Sequence, residues 1–174
     1  MKSKLIIAFV LLLAVIFLSG CLKETLLKRN MDSCAKIQNE DDKDSCYYAL
    51  AKSSKEAKIC EVIMDKSKSG YKSLCYKDVG IATANISLCE LVESSRYAMG
   101  VRDECYAGVG FQLKDLGICD KIGDETIKSN CYYDVASAEK DSSICSKIWD
   151  QDIKDKCFMN VGEVSADTTG STNS

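Results

Sequence analysis

Apolar residues recur in this chain on two superposed periods. Over the short one, Cys46, Tyr47, Leu50 and Ala51 stand at 0, +1, +4 and +5, the spacing that puts four side chains on one face of an α-helix. The same order of cysteine, aromatic, aliphatic and small residue returns as Cys75, Tyr76, Val79, Gly80, then Cys105, Tyr106, Val109, Gly110, then Cys131, Tyr132, Val135, Ala136, and finally Cys157, Phe158, Val161, Gly162. It predicts one helix, B, written five times, whose small residue lets a neighbour approach closely. A shorter stripe precedes each B: Ile59, Leu88, Ile118 and Ile144 sit just before a cysteine, and Ile37, Ile63, Val92, Ile122 and Ile148 sit three residues after one, with Ser33 breaking the pattern in the first copy. Four residues before each of these cysteines come Asn30, Glu56, Asn85, Asp115 and Asp141, mostly types whose side-chain oxygen caps a helix start. A second helix, A, is therefore predicted from each, and each copy is an αα-hairpin. The absence of proline agrees, since nothing has to break inside a helix.

The long period is carried by the cysteines. From the second of each pair to the first of the next the step is always fourteen residues, at Cys46 to Cys60, Cys75 to Cys89, Cys105 to Cys119 and Cys131 to Cys145, whereas the steps within pairs are 12, 15, 16, 12 and 12. Pairing A with B inside each hairpin (Cys34 with Cys46, Cys60 with Cys75, Cys89 with Cys105, Cys119 with Cys131, Cys145 with Cys157) uses all ten. Pairing each B with the next A strands Cys34 and Cys157. Antiparallel axes about 10 Å apart, less a Cα radius of about 2.3 Å on each side, leave about 5.4 Å between Cα atoms, which suits a disulfide within a hairpin. The predicted fold is all-α, an α-solenoid of about five disulfide-stapled hairpins over residues 30–165. A polar tail, 166–174, is expected to be disordered. A hairpin with two short apolar stripes buries too little surface to fold alone, so staples and neighbour stacking have to share the work.

The start of the chain reads differently. Lys2 and Lys4 precede fourteen unbroken apolar residues from Leu5 to Leu18, short of the roughly 20 that a spanning helix needs. They lead into Leu18-Ser19-Gly20-Cys21, which resembles the lipobox of prokaryotic membrane lipoproteins. That resemblance implies a signal peptide over 1–20, a diacylglyceryl thioether on Cys21, a tether over 21–29, and a mature protein held outside the cell membrane by its lipid. Without residues 1–20, Lys plus Arg falls from 23 to 21 against 26 Asp plus Glu, a net of −5, which argues against nucleic acid and against a surface lying flat on anionic lipid. Ten cysteines in an exported chain with no C-x-x-C point to structural disulfides, and the lack of histidine removes the commonest metal ligand and general base. No catalytic group, metal or cofactor is expected.

The stapled array is similar in architecture to tetratricopeptide-type repeat proteins whose hairpins carry one disulfide each, although their signature residues are missing. The likeness implies a curved stack that binds a protein, peptide or glycan. A basic residue precedes every B cysteine by three positions, Lys43, Lys72, Arg102, Lys128 and Lys154, and can lie over the aromatic four residues on, pair with an acid of the next copy, or form a basic row for a ligand. The second and third copies have longer A-to-B loops, so Tyr71, Tyr97 and Met99 are candidate contact residues on one rim, with loop drift as the plainer account. Asn85-Ile86-Ser87 is a formal glycosylation acceptor in a capping position. Trp149, Tyr48 and Tyr133 are expected to cover the edge of the stack, or else to offer a sugar platform. The functional expectation is a lipid-anchored extracytoplasmic binding or scaffold module of the cell envelope. The alternatives are a hydrolase or inhibitor acting on envelope polymers, and a thiol–disulfide redox sensor.

Overall fold

The computed structural model describes residues 24–65, 69–93 and 100–162. The expected signal peptide, Cys21 and the polar tail 166–174 lie outside these residues, as do Tyr97 and Met99. Among the described residues the protein is all-α. It divides into two compact units, one running through Lys72 and the other starting at Ser73.

The first unit contains helix α1 over residues 24–35, helix α2 (Glu40–Ser54) and the single turn α3 (Lys58–Glu61). Helix α1 already runs at residue 24, so Asn30 lies inside it and caps nothing, and residues 24–29 are helix where a tether was expected. The segment Glu24 to Arg29 contains only good or neutral helix formers and no breaker, which is why the helix extends past the predicted start. Helix α2 does start on a cap, Asn39, whose side chain accepts from the Asp42 amide at 3.1 Å. Tyr47, Ala51, Ile59, Cys60 and Ile63 are buried, as their places in the stripes require.

The second unit takes in most of helix α4 (Tyr71–Thr83), then α5 (Ile86–Glu90), α6 (Val101–Leu113), α7 (Leu116–Cys119), α8 (Glu125–Glu139), a 3₁₀ helix (Ser142–Lys147) and α9 (Gln151–Val161). The predicted A helices are thus only one or two turns each after the first copy, set against B helices of 11 to 15 residues. A segment of four to six residues cannot nucleate by itself. Each here is held by its disulfide and by burial of the isoleucine or leucine beside the cysteine, and all but α3 by a side-chain cap as well. The core is continuous through the last three copies, with Tyr106, Val109, Ile118, Ile122, Tyr132, Val135, Ala136, Ile144 and Ile148 packed around the buried bridges.

All ten cysteines from Cys34 to Cys157 are disulfide-bonded. Cys34 pairs with Cys46, Cys89 with Cys105, Cys119 with Cys131 and Cys145 with Cys157, at Cα separations of 5.6, 5.5, 5.8 and 5.6 Å, close to the spacing expected for a bridge inside a hairpin.

The constant interval of fourteen has a backbone cause. Nine residues after each of the first four B cysteines the chain turns left-handed, at Lys55, Ala84, Lys114 and Lys140, with φ of 59, 50, 55 and 55°. The next amide then reaches back to the small residue of the stripe: Glu56 to Ala51, Asn85 to Gly80, Asp115 to Gly110 and Asp141 to Ala136, at 2.9 to 3.2 Å. This is a Schellman closure of helix B. In three of the four copies the residue that donates it also caps the following A turn: the side chains of Asn85, Asp115 and Asp141 accept from the amides of Ser87, Gly117 and Ser143. Glu56 does not take that role, because α3 starts two residues later on Ala57 without a side-chain cap. None of the four left-handed residues is glycine, and each non-glycine residue there costs roughly 1–2 kcal/mol. The chain accepts that cost to turn from one helix into the next in two residues.

The small stripe position is also where successive copies meet. A Cβ built on Gly80 would stand 3.2 Å from Leu88 Cβ and 3.3 Å from Cys105 Sγ, and one on Gly110 would stand 3.3 Å from Cys131 Sγ. The next copy's A turn and bridge therefore rest directly on the B backbone, leaving room for glycine or alanine alone.

Candidate functional site

The five basic residues predicted as a row all stand in the first turn of their B helices, and all are half-buried. The ammonium of Lys43 pairs with Glu40 at 3.1 Å and that of Lys128 with Glu125 at 3.5 Å, each three residues back on the same helix. Arg102 turns to the end of the preceding A turn, its Nε donating to the Val92 carbonyl at 3.0 Å and a terminal nitrogen donating to the same oxygen. These three cations are engaged by their own copies in place of the predicted tyrosine. Lys72 and Lys154 complete the set as the second residue of α4 and the fourth of α9. Among the described residues a cation lies over a ring at Lys52 and Tyr48, 5.7 Å from the centroid.

Tyr71 opens α4, and its ring lies 5.7 Å from that of Tyr48 at a tilt of 34°, so the two aromatics form a small pair within the first unit. Tyr133 is half-buried and its hydroxyl accepts from Asn160 at 3.2 Å, consistent with an edge-covering role. Trp149 departs from that expectation: it is 80 % exposed, because it follows the last apolar position of the A segment, Ile148, and points away from the core just before the Asp150 cap. Met159, 77 % exposed, is the next most open large apolar side chain. Asn85 spends its side-chain oxygen on the α5 cap.

Two acids unmarked by the sequence reading link successive copies. Asp44, 1 % exposed, accepts from the amides of Met64 at 3.1 Å and Asp65 at 2.8 Å, beyond the next A turn. Asp103 does the same in the second unit, accepting from the Asp124 amide at 2.9 Å. Both acids lie two residues before a B cysteine, and both reach an amide 21 residues on. The Asp124 held in this way caps α8 through the amides of Thr126 and Ile127. A B helix of one copy thus sets where the B helix of the next begins.

Tyr132 donates its hydroxyl hydrogen to Asp120, one residue past the A cysteine to which its own helix is bridged. Burial, the hydrogen bond to Asp120 and the negative charges of Asp120 and Glu125 push its phenol up to about 12. The folded state holds this group neutral, so its contribution is fully present below the ordinary tyrosine value near 10 and is lost as pH rises through 12. Absorbance at 295 nm should show a late tyrosine ionisation near pH 12, and Tyr132→Phe should remove that late step and flatten the fall in stability between pH 10 and 12. A late step that survives in Tyr132→Phe refutes the assignment.

Among the described residues no group of three or more Cys, Asp or Glu could hold a metal ion, and no helix is long and apolar enough to cross a membrane. The chain matches no protein-family model, no curated protein and no solved structure.

Proposed function

We propose that the protein is a lipid-anchored module outside the cell membrane that binds or scaffolds another component of the envelope without catalysing a reaction. The observation that carries the reading is the use of the cysteines: all ten in the repeat are committed to disulfides, the state expected of an oxidising compartment, while Cys21 stands apart behind Leu18-Ser19-Gly20 and an apolar run. Within the second unit the stapled copies share one core, and the open side chains of Trp149 and Met159 in the last copy are contact candidates beside Tyr71, Tyr97 and Met99.

Mass spectrometry of the membrane-bound protein should find Cys21 as an acylated first residue, and Cys21→Ser should leave an unprocessed precursor. A mature terminus elsewhere, or an unmodified Cys21, would sink the anchoring half of the proposal. For the binding half, alanine at Tyr71, Tyr97 and Met99, or at Trp149, should abolish capture of an envelope component that the native chain retains. Turnover of an envelope polymer by the purified protein would replace the binding reading with the hydrolase one.

A further inference from the structure

The charge of the chain is unevenly placed. Residues 21–37 hold four bases and two acids, a net of +2, whereas residues 38–174 carry a net of −7. Within the first unit this excess has a direction. The start of α1, where Lys28 and Arg29 outnumber Glu24, lies beside the end of α2, with Lys52 in its last turn and Lys55 as its cap, because Leu26, Leu27 and Asn30 share a groove of about 230 Å³ with Leu50, Ser53 and Ser54. At the opposite end of the helix pair, Lys36 is outnumbered by Glu40, Asp41 and Asp42. The groove is apolar: the hydroxyls of Ser53 and Ser54 are turned back onto the Leu50 carbonyl at 3.0 and 2.8 Å, and Leu26 is left half exposed at its mouth.

We infer that this basic, leucine-edged end of the first helix pair docks on an anionic bilayer surface. The inference rests on the proposed lipid at Cys21. Two residues stand between that cysteine and the helical residue 24, a reach of at most about 11 Å, so an acylated Cys21 delivers this end of the first unit to the headgroup layer. There the cations meet the negative surface potential and Leu26 meets the acyl boundary. The acidic remainder of the chain is repelled by the same surface, so docking by this end also sets which part of the first unit faces away.

The test uses the full chain, matured in cells and reconstituted in vesicles of phosphatidylcholine with or without phosphatidylglycerol. Trp149→Phe removes the native indole and Leu26→Trp supplies a reporter; Thr25→Trp serves as a second if circular dichroism shows that the first perturbs the fold. Brominated acyl chains should quench the reporter in anionic vesicles and much less in neutral ones. Lys28→Gln with Arg29→Gln, both at exposed positions, should weaken docking about thirtyfold, and 1 M salt should weaken it too. Lipid on Cys21 with no quenching in anionic vesicles, or equal quenching in both vesicle types, overturns the docking while leaving the anchor standing. An unacylated Cys21 overturns both.

Discussion

Removing the Cys119–Cys131 bridge by alanine at both positions is expected to destabilise the second unit by about 3 kcal/mol from loop entropy alone, and by more once the lost packing is counted. The bridge closes a loop of 12 residues, and both cysteines are at most 1 % exposed in the middle of the continuous core. It also holds α7, a turn of four residues that otherwise rests on the Asp115 cap, the buried Ile118 and the Tyr132 bond to Asp120. Denaturant unfolding followed by circular dichroism should show the midpoint fall in the double variant. Reduction of all the bridges should remove most of the helical signal. The Cys34–Cys46 bridge should cost less to remove, since Cys46 is only half-buried and α1 is three turns long. A second unit that melts unchanged without Cys119 and Cys131 would show that stacking, not stapling, carries its stability.

Asp44→Ala should cost the first unit about 3 kcal/mol, the second of the large effects. The carboxylate is buried, and its loss leaves the Met64 and Asp65 amides without their acceptor; hydrogen bonds to a charged group are worth about 1.5–3 kcal/mol each, with part recovered by water at the half-open Asp65. Asp44→Asn keeps one acceptor and should fall between. Asp103→Ala, which loses a single bond at a half-buried position, should have the smaller effect. Thermal unfolding of the three variants checks the order, and an Asp44→Ala protein as stable as the parent would remove the copy-to-copy lock from the account.

The B helices were legible because one stripe of four residues has one meaning at a period of 3.6, and Tyr47, Val109 and Ala136 are buried as that stripe requires. The bridges were legible because, of the two pairings that repeat in every copy, only the one within a hairpin uses all ten cysteines. Helix A was over-read: isoleucine on either side of a cysteine marks a buried turn as well as it marks a helix, and only the first copy, where Ser33 weakens the stripe, has a long one. The cap at Asn30 failed for a related reason, since a capping residue acts only where the chain is not already helical. The B-helix caps Asn39, Asp124 and Asp150 could have been found, because each stands seven residues before its cysteine and is followed by Glu or Gln. The copy-to-copy bond was hidden by its own position, which reads Asp44, Ser73, Asp103, Ser129 and Asp155 and so looks like ordinary surface polarity in any single copy. The basic row was visible, but its partners were not: Glu40 and Glu125 are present at the matching place in only two copies, and Arg102 uses a backbone carbonyl that no pattern announces.

Bridges that close within one copy change what tension can do to the chain. When force pulls on an unfolding copy, the 12 to 16 residues between its two cysteines stay locked and contribute almost nothing to extension. Only the fourteen-residue stretch leading to the next copy can pay out, about 50 Å when fully drawn. The molecule lengthens in short steps, and the loops closed by Cys34–Cys46, Cys89–Cys105, Cys119–Cys131 and Cys145–Cys157 keep their ends within 6 Å, so each of those copies refolds from a start already half closed. A chain built in this way gives way under load in small increments and recovers from each separately.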